Sequence, residues 1–218
     1  MKNKPTFKRI CAYIIDIVLI SFVSSMFASI EFINPKLDEY NQNYEEYRNY
    51  VQNITSGNET LDASELLNGE EIKDLTYNIA SSGVITSEIT LIISILYFIV
   101  FQYFNNGKTV GKALLKIQVK SNDNKKLKLT QIILRSIVIN SLLTSLISII
   151  CLLTLSKSSY LTVNNYIQMI DMAIVFVTFG MVMFREDGRG LHDLLAKTIV
   201  VPAEEVKEAV IVKEKKGK

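Results

Sequence analysis

Four long apolar stretches, separated by segments that carry most of the charge, constrain this chain more than any other feature of its sequence. They run at about residues 10–32, 84–104, 132–155 and 166–184. Each is close to the roughly 20 residues that a helix needs to cross about 30 Å of hydrocarbon. A soluble domain of 218 residues can also be 49% hydrophobic, but it distributes apolar positions at helix or strand period rather than in blocks. Inside lipid the backbone must satisfy its own hydrogen bonds, so each block is expected to be a helix. The expected fold is all-α: a polytopic membrane protein with four transmembrane helices.

The first block could be confused with a secretory signal. Signal h-regions run about 7–15 residues and end at a small-x-small site. This block is longer, contains Asp16 and ends without an Ala-x-Ala. It reads as a retained span. Cys11 and Cys151 fall at opposite ends of the expected spans, beyond the roughly 7 Å between Cα atoms that a disulfide tolerates. Both are expected to be free.

Residues 33–83 hold ten Asp/Glu against Lys36, Arg48 and Lys73. Asn34-Pro35 is expected to end the first helix. Tyr40, Tyr44, Tyr47 and Val51 recur at helical spacing, and a second stripe runs Leu66, Ile72, Leu75, Ile79. The segment is expected to form a small helical cap, its tyrosines suited to the headgroup layer. The linker 105–131 holds seven lysines. Its alternating Lys116-Ile-Gln-Val-Lys and Leu127-Lys-Leu flank Ser121-Asn-Asp-Asn-Lys125, which predicts a short hairpin at the membrane face. Residues 1–201 form one membrane domain on this reading. Residues 202–218 form a charged tail, expected to be disordered.

Orientation follows from Lys and Arg near the spans. The N-terminal segment has four, the linker seven and the segment from Arg185 eight. The loop 156–165 has one, and the 51-residue acidic segment three. With four crossings the three basic segments share one side, so both termini are expected in the cytoplasm of a multi-pass cell-membrane protein. The basic face should attract anionic lipid. A formal net charge of +2 gives no reason to expect nucleic acid.

Charged residues within spans are costly and raise a functional hypothesis by default. Asp16 has two readings. It is a protonatable ion site tuned by a nearby Arg, or a lock that pairs span one with Arg135 on span three. Arg9 sits at the boundary and is expected to snorkel to the headgroups. Asp171 is placed in the outer half of the fourth span, where an interfacial position would explain it. Gly107-Lys-Thr-Val-Gly-Lys112 is not a phosphate loop. Three residues rather than four separate its glycines, and Ala113 follows the Lys where Ser or Thr is required. His192 is the one histidine and cannot by itself build a metal site. It is expected to pair with Asp193. No cofactor is implied, and no nucleophile–base set marks an enzyme.

Taken in order, these elements resemble the RDD family of bacterial membrane proteins, named for one arginine and two aspartates. Arg9 and Asp16 in Lys8-Arg9-Ile-Cys-Ala-Tyr-Ile-Ile-Asp16 are similar to the family's first-span pair. Gly107-Lys-Thr-Val-Gly-Lys112 resembles its Gly-x-Thr-x-Gly-Lys element, and Arg135 its arginine opening the next span. Leu191-His192-Asp193-Leu-Leu-Ala-Lys-Thr-Ile-Val200 resembles the closing element, with Asp193 as the second aspartate. The motifs cover residues 7–30 and about 98–201 and leave the acidic segment outside.

The resemblance implies a helical membrane domain. It also implies transport of an unidentified ligand, with cation/proton antiport in some members. Candidate transport or ion-pair residues are therefore Arg9, Asp16, Arg135, Asp193 and Asp171. Four spans are few for a complete pathway, so a homo-oligomer would be needed. The alternative is a non-transporting scaffold or envelope-stress partner, suggested by the acidic cap and the basic opposite face.

Overall fold

The computed structural model describes residues 5–56, 69–123 and 125–203. The expected disorder of the tail and the Leu66 position of the second stripe lie outside the described residues. Helix α1 (Thr6–Ala28) opens the chain and α2 (Leu37–Ser56) follows. Helices α3 (Glu70–Ser82) and α4 (Val84–Phe104) come next. The short α5 (Val110–Leu114) leads into strand β1 (Ile117–Ser121). Helices α6 (Leu129–Ile139), α7 (Leu142–Thr154) and α8 (Lys157–Phe184) then precede the short α9 (Leu191–Leu195) and β2 (Thr198–Pro202).

Three helices, α1, α4 and α8, are long and apolar enough to cross a membrane. The pair α6–α7 makes a fourth if its two halves, bent by 63°, form one span. These helices turn large apolar side chains outward. Phe22, Phe176 and Met169 are 63%, 68% and 67% exposed. Apolar surface on that scale is untenable in water and ordinary against lipid.

Block and helix boundaries differ where local chemistry intervenes. Helix α1 ends at Ala28, short of Pro35, because the buried Asn34 side chain folds back and donates to Ala28 O at 3.0 Å. That bond satisfies a carbonyl that the helix end would leave open. Helix α8 starts at Lys157 rather than near Tyr166. Nothing in Ser158–Asn165 breaks a helix, and its buried Tyr160 packs edge-on against Tyr77 of α3 at 5.9 Å. The third block breaks between Asn140 and Ser141, where Ser141 adopts φ +53. Asn and Ser side chains compete for backbone hydrogen bonds, and two together give the chain a place to leave the helix.

The predicted local hairpin is not formed. Strand β1 instead pairs antiparallel with β2, with Val119 opposite Val200. Residues 126–128 are neither helix nor strand, whereas Thr198-Ile-Val-Val supplies the β-branched run that a two-stranded ladder favours. This small sheet is an addition to a mostly helical chain, which is otherwise as expected. Ile117, Val119 and Val200 close over Ala12 of α1 as a small buried core, pinning the sheet to one end of the helices. At the other end α2 and α3 pack together, their Tyr40, Tyr44, Ile72 and Ile79 on the helical stripes read from sequence. Cys11 and Cys151 are free.

Candidate functional site

Two buried carboxylates organise the sheet end. Asp193 lies in the first turn of α9 and is fully buried. Arg135 of α6 donates to its Oδ1, and Arg9 of α1 to its Oδ2. Thr198 Oγ1 donates to Oδ1 at 3.1 Å and the Gly190 N–H to Oδ2 at 3.3 Å. One carboxylate thus ties together α1, α6, α9 and β2. Burial alone would raise its pKa, but the Arg135 guanidinium, with His192 and Arg9, overrides that and holds it well below the usual carboxylate range. Arg9 also donates to Gly188 O and lies 3.4 Å from His192 Nε2. Burial, then the Arg135 charge, push His192 down to about 4, so its ring is neutral at neutral pH. His192 Nδ1 is buried without a hydrogen-bond partner among the described residues.

Asp16 is the second centre. Thr109 Oγ1 donates to its Oδ2 at 2.5 Å. Tyr97 Oη and the Gly111 N–H both donate to Oδ1, at 2.6 and 2.8 Å. Lys112 Nζ stands 3.7 Å from Oδ2. Each part of the Gly-x-Thr-x-Gly-Lys element therefore has a task. Gly107 takes φ +79 in the turn, where a side chain is strained. Thr109 caps α5 and binds Asp16. A Cβ on Gly111 would fall 2.2 Å from Ala12 O. Burial draws Lys112 down to about 8, against the pull of Asp16. Tyr97 lies in Leu96–Phe101, where α4 is wound as a π-helix. Such a bulge leaves backbone groups open and marks functional sites, and here Ser136 Oγ donates to Phe98 O at 3.1 Å.

Two cavities flank the break in the third block. One, of about 320 Å³, is walled by Arg9, Lys112, Arg135 and His192 together with apolar residues of α1 and α8. The other, of about 390 Å³, lies toward the α2–α3 end and is lined by hydroxyl and amide side chains of α4, α7 and α8 with Asp171. Asn140 lines both. Beside it Tyr13 Oη donates to Ile139 O at 3.1 Å, satisfying a carbonyl at the end of α6.

The five residues singled out in the sequence thus fall into three places. Arg9, Arg135 and Asp193 meet. Asp16 stands apart with Lys112, so the expected Asp16–Arg135 pairing is not made. Arg9 does not reach for headgroups, because its side chain is 11% exposed and turned inward to Asp193. Asp171 lies at the middle of α8, 14 residues after Lys157, and accepts from Ser141 and Thr144. Sequence reading had Thr109 as part of the motif but not its bond to Asp16, and it missed Tyr97 and the helix break. It also missed the polar stripes Thr86-Thr90 and Thr144-Ser148. Hydroxyls repeating every fourth residue within an apolar block would have disclosed one wet helix face.

The model of the RDD family matches residues 4–197, a single stretch that takes in the acidic segment as well as the motifs. No curated protein and no solved structure matches the chain.

Proposed function

Since this chain belongs to the RDD family, a family of multi-pass membrane proteins, we propose that it is a small-solute transporter of the cell membrane, with cation/proton exchange as its specific form. The observation that carries this reading is the pair of cavities sharing Asn140 at the interrupted span. A broken helix between two cavities lets backbone and polar side chains meet a solute at depth without facing lipid. One cavity opens among cations and the other around a carboxylate, so an ion moving between them meets charge of both signs.

On this reading α6 and α7 count as one span, giving four crossings. The basic segments face the cytoplasm with both termini, and the acidic α2–α3 pair faces outward. Apart from Lys112, which faces Asp16, the lysines of residues 108–128 lie against anionic lipid. Catalytic chemistry is not part of this role, and a homo-oligomer would supply the helices that four spans lack.

The test is reconstitution of the purified full chain into liposomes that trap a pH-sensitive dye, followed by pulses of NaCl, KCl or choline chloride. Wild-type protein is expected to move protons on addition of at least one metal cation and not with choline. Traces equal to protein-free liposomes for every salt would overturn the reading and turn attention to a scaffold role.

A further inference from the structure

The motif residues do not enter the cavity of about 390 Å³ and leave it without a role. We infer that it is a binding site for a monovalent metal cation of the sodium type, with Asp171 as its anionic ligand. This rests on the transport reading above and names the ion and its place.

Its place is the first argument. Asp171 lies at the middle of α8, a helix apolar enough to cross a membrane. A carboxylate on such a helix is retained at a cost of several kcal/mol. Asp16 and Asp193 offset that cost with Lys112 and with two arginines. Asp171 has no such partner among the described residues: its hydrogen bonds come from Ser141 Oγ at 2.6 Å and Thr144 Oγ1 at 2.9 Å. It is also the one charged side chain among those lining the cavity.

The donor set decides the class of ion. Around Asp171 stand Ser141 and Thr144, with Thr90, Ser94, Asn140 and Gln168 across the cavity. All can present oxygen, and neither sulfur nor imidazole lines the space. Hard cations take oxygen ligands. The hydroxyls that donate to Asp171 keep lone pairs free, so a cation can be held between carboxylate and hydroxyls without rebuilding the wall. One carboxylate neutralises one monovalent ion. A divalent ion would leave an uncompensated positive charge among apolar helices, which is the more costly state.

The experiment is labelling of the full chain in detergent with the hydrophobic reagent dicyclohexylcarbodiimide, which attacks protonated carboxyls in apolar surroundings, read at Asp171 by peptide mass spectrometry. A metal cation bound at the carboxylate blocks the reagent and protects. In NaCl at ten times its half-effect concentration, labelling is expected to fall about tenfold relative to choline chloride at equal ionic strength. Equal labelling in NaCl, KCl and choline, or protection by MgCl2 alone, would overturn the site. The wild type carries this readout, so it does not depend on a variant that folds. Sodium protection without flux in liposomes would remove the transport reading and leave the site. Sodium-driven flux retained by Asp171→Asn would do the reverse.

Discussion

The Gly111 N–H donates to the Asp16 carboxylate at 2.8 Å across 95 residues of chain. This bond brings the first span against the loop that follows the second, and it is so close that a methyl group has no room. An added Cβ would meet Ala12 O at 2.2 Å and Asp16 Oδ1 at 2.9 Å, the first of these a backbone atom that cannot swing away.

Gly111→Ala is therefore expected to destabilise the protein by about 3 kcal/mol or more, the upper range of overpacking in a filled site. Gly180→Ala on α8 is the control, since beyond its own helix backbone no atom of the described residues lies within 4 Å of an added Cβ, and Ala in a helix gains roughly 0.5–1 kcal/mol over Gly. Thermal unfolding in detergent should lower the midpoint of the first variant only.

Asp193→Asn should be more damaging than Arg9→Gln. The aspartate is shared by Arg9 and Arg135, so its loss leaves two buried cations without a counter-charge. Breaking a buried pair from one side costs about 3–5 kcal/mol. Adding Arg135→Gln to Asp193→Asn should recover part of that loss, a coupling that a double-mutant cycle measures. Strict additivity would mean that the two groups do not interact.

Asp16→Asn tests lock against site. The carboxylate accepts from Thr109, Tyr97 and Gly111 and faces Lys112, an environment built to hold an anion in place. The amide would turn donors against donors, and the expected result is a loss of about 3 kcal/mol. In liposomes the loss of flux should track the loss of folded protein. Fully folded Asp16→Asn with abolished flux would make Asp16 a transport residue instead.

Stability should fall as pH drops from about 6.5 to about 4. His192 is held neutral in the folded protein with its pKa lowered to about 4 from 6.5. Between those values the unfolded chain binds the proton and the native chain does not, so stability rises with pH through this window. The gap corresponds to roughly 3 kcal/mol at 1.36 kcal/mol per pH unit. Asp193, depressed well below its ordinary value, contributes stability above about pH 4 that is lost only in stronger acid. His192→Gln should flatten the slope between pH 4 and 6.5, measured by unfolding midpoints across that range.

Topology is open to direct labelling. With Cys11→Ser and Cys151→Ser as background, a cysteine at Asn43 on α2 should react with a membrane-impermeant maleimide in intact cells. A cysteine at Asp123, beyond β1, should react only after lysis. The opposite pattern would invert the orientation assigned from the lysines.

Much of the fold could be read without coordinates. Blocks of apolar residues predicted α1 and α4 closely, and the stripes at Tyr40–Tyr44 and Ile72–Ile79 predicted α2 and α3. The candidate site was legible as residue types, since Arg9, Asp16, Arg135 and Asp193 were all singled out, but not as pairings. Asp16 took Lys112 rather than Arg135, and β1 took β2 rather than its neighbour in sequence.

Hydropathy is a local property, so the chain alone determined which segments seek lipid, which stay in water and where ionisable groups sit within spans. Choosing a partner is not local. Arg9 meets Asp193 across 184 residues, and Asp171 meets Ser141 only because the third block breaks at that serine. Those choices depend on how helices lean on one another and on which carboxylate each packing leaves within reach of a cation, and only the tertiary structure decides that.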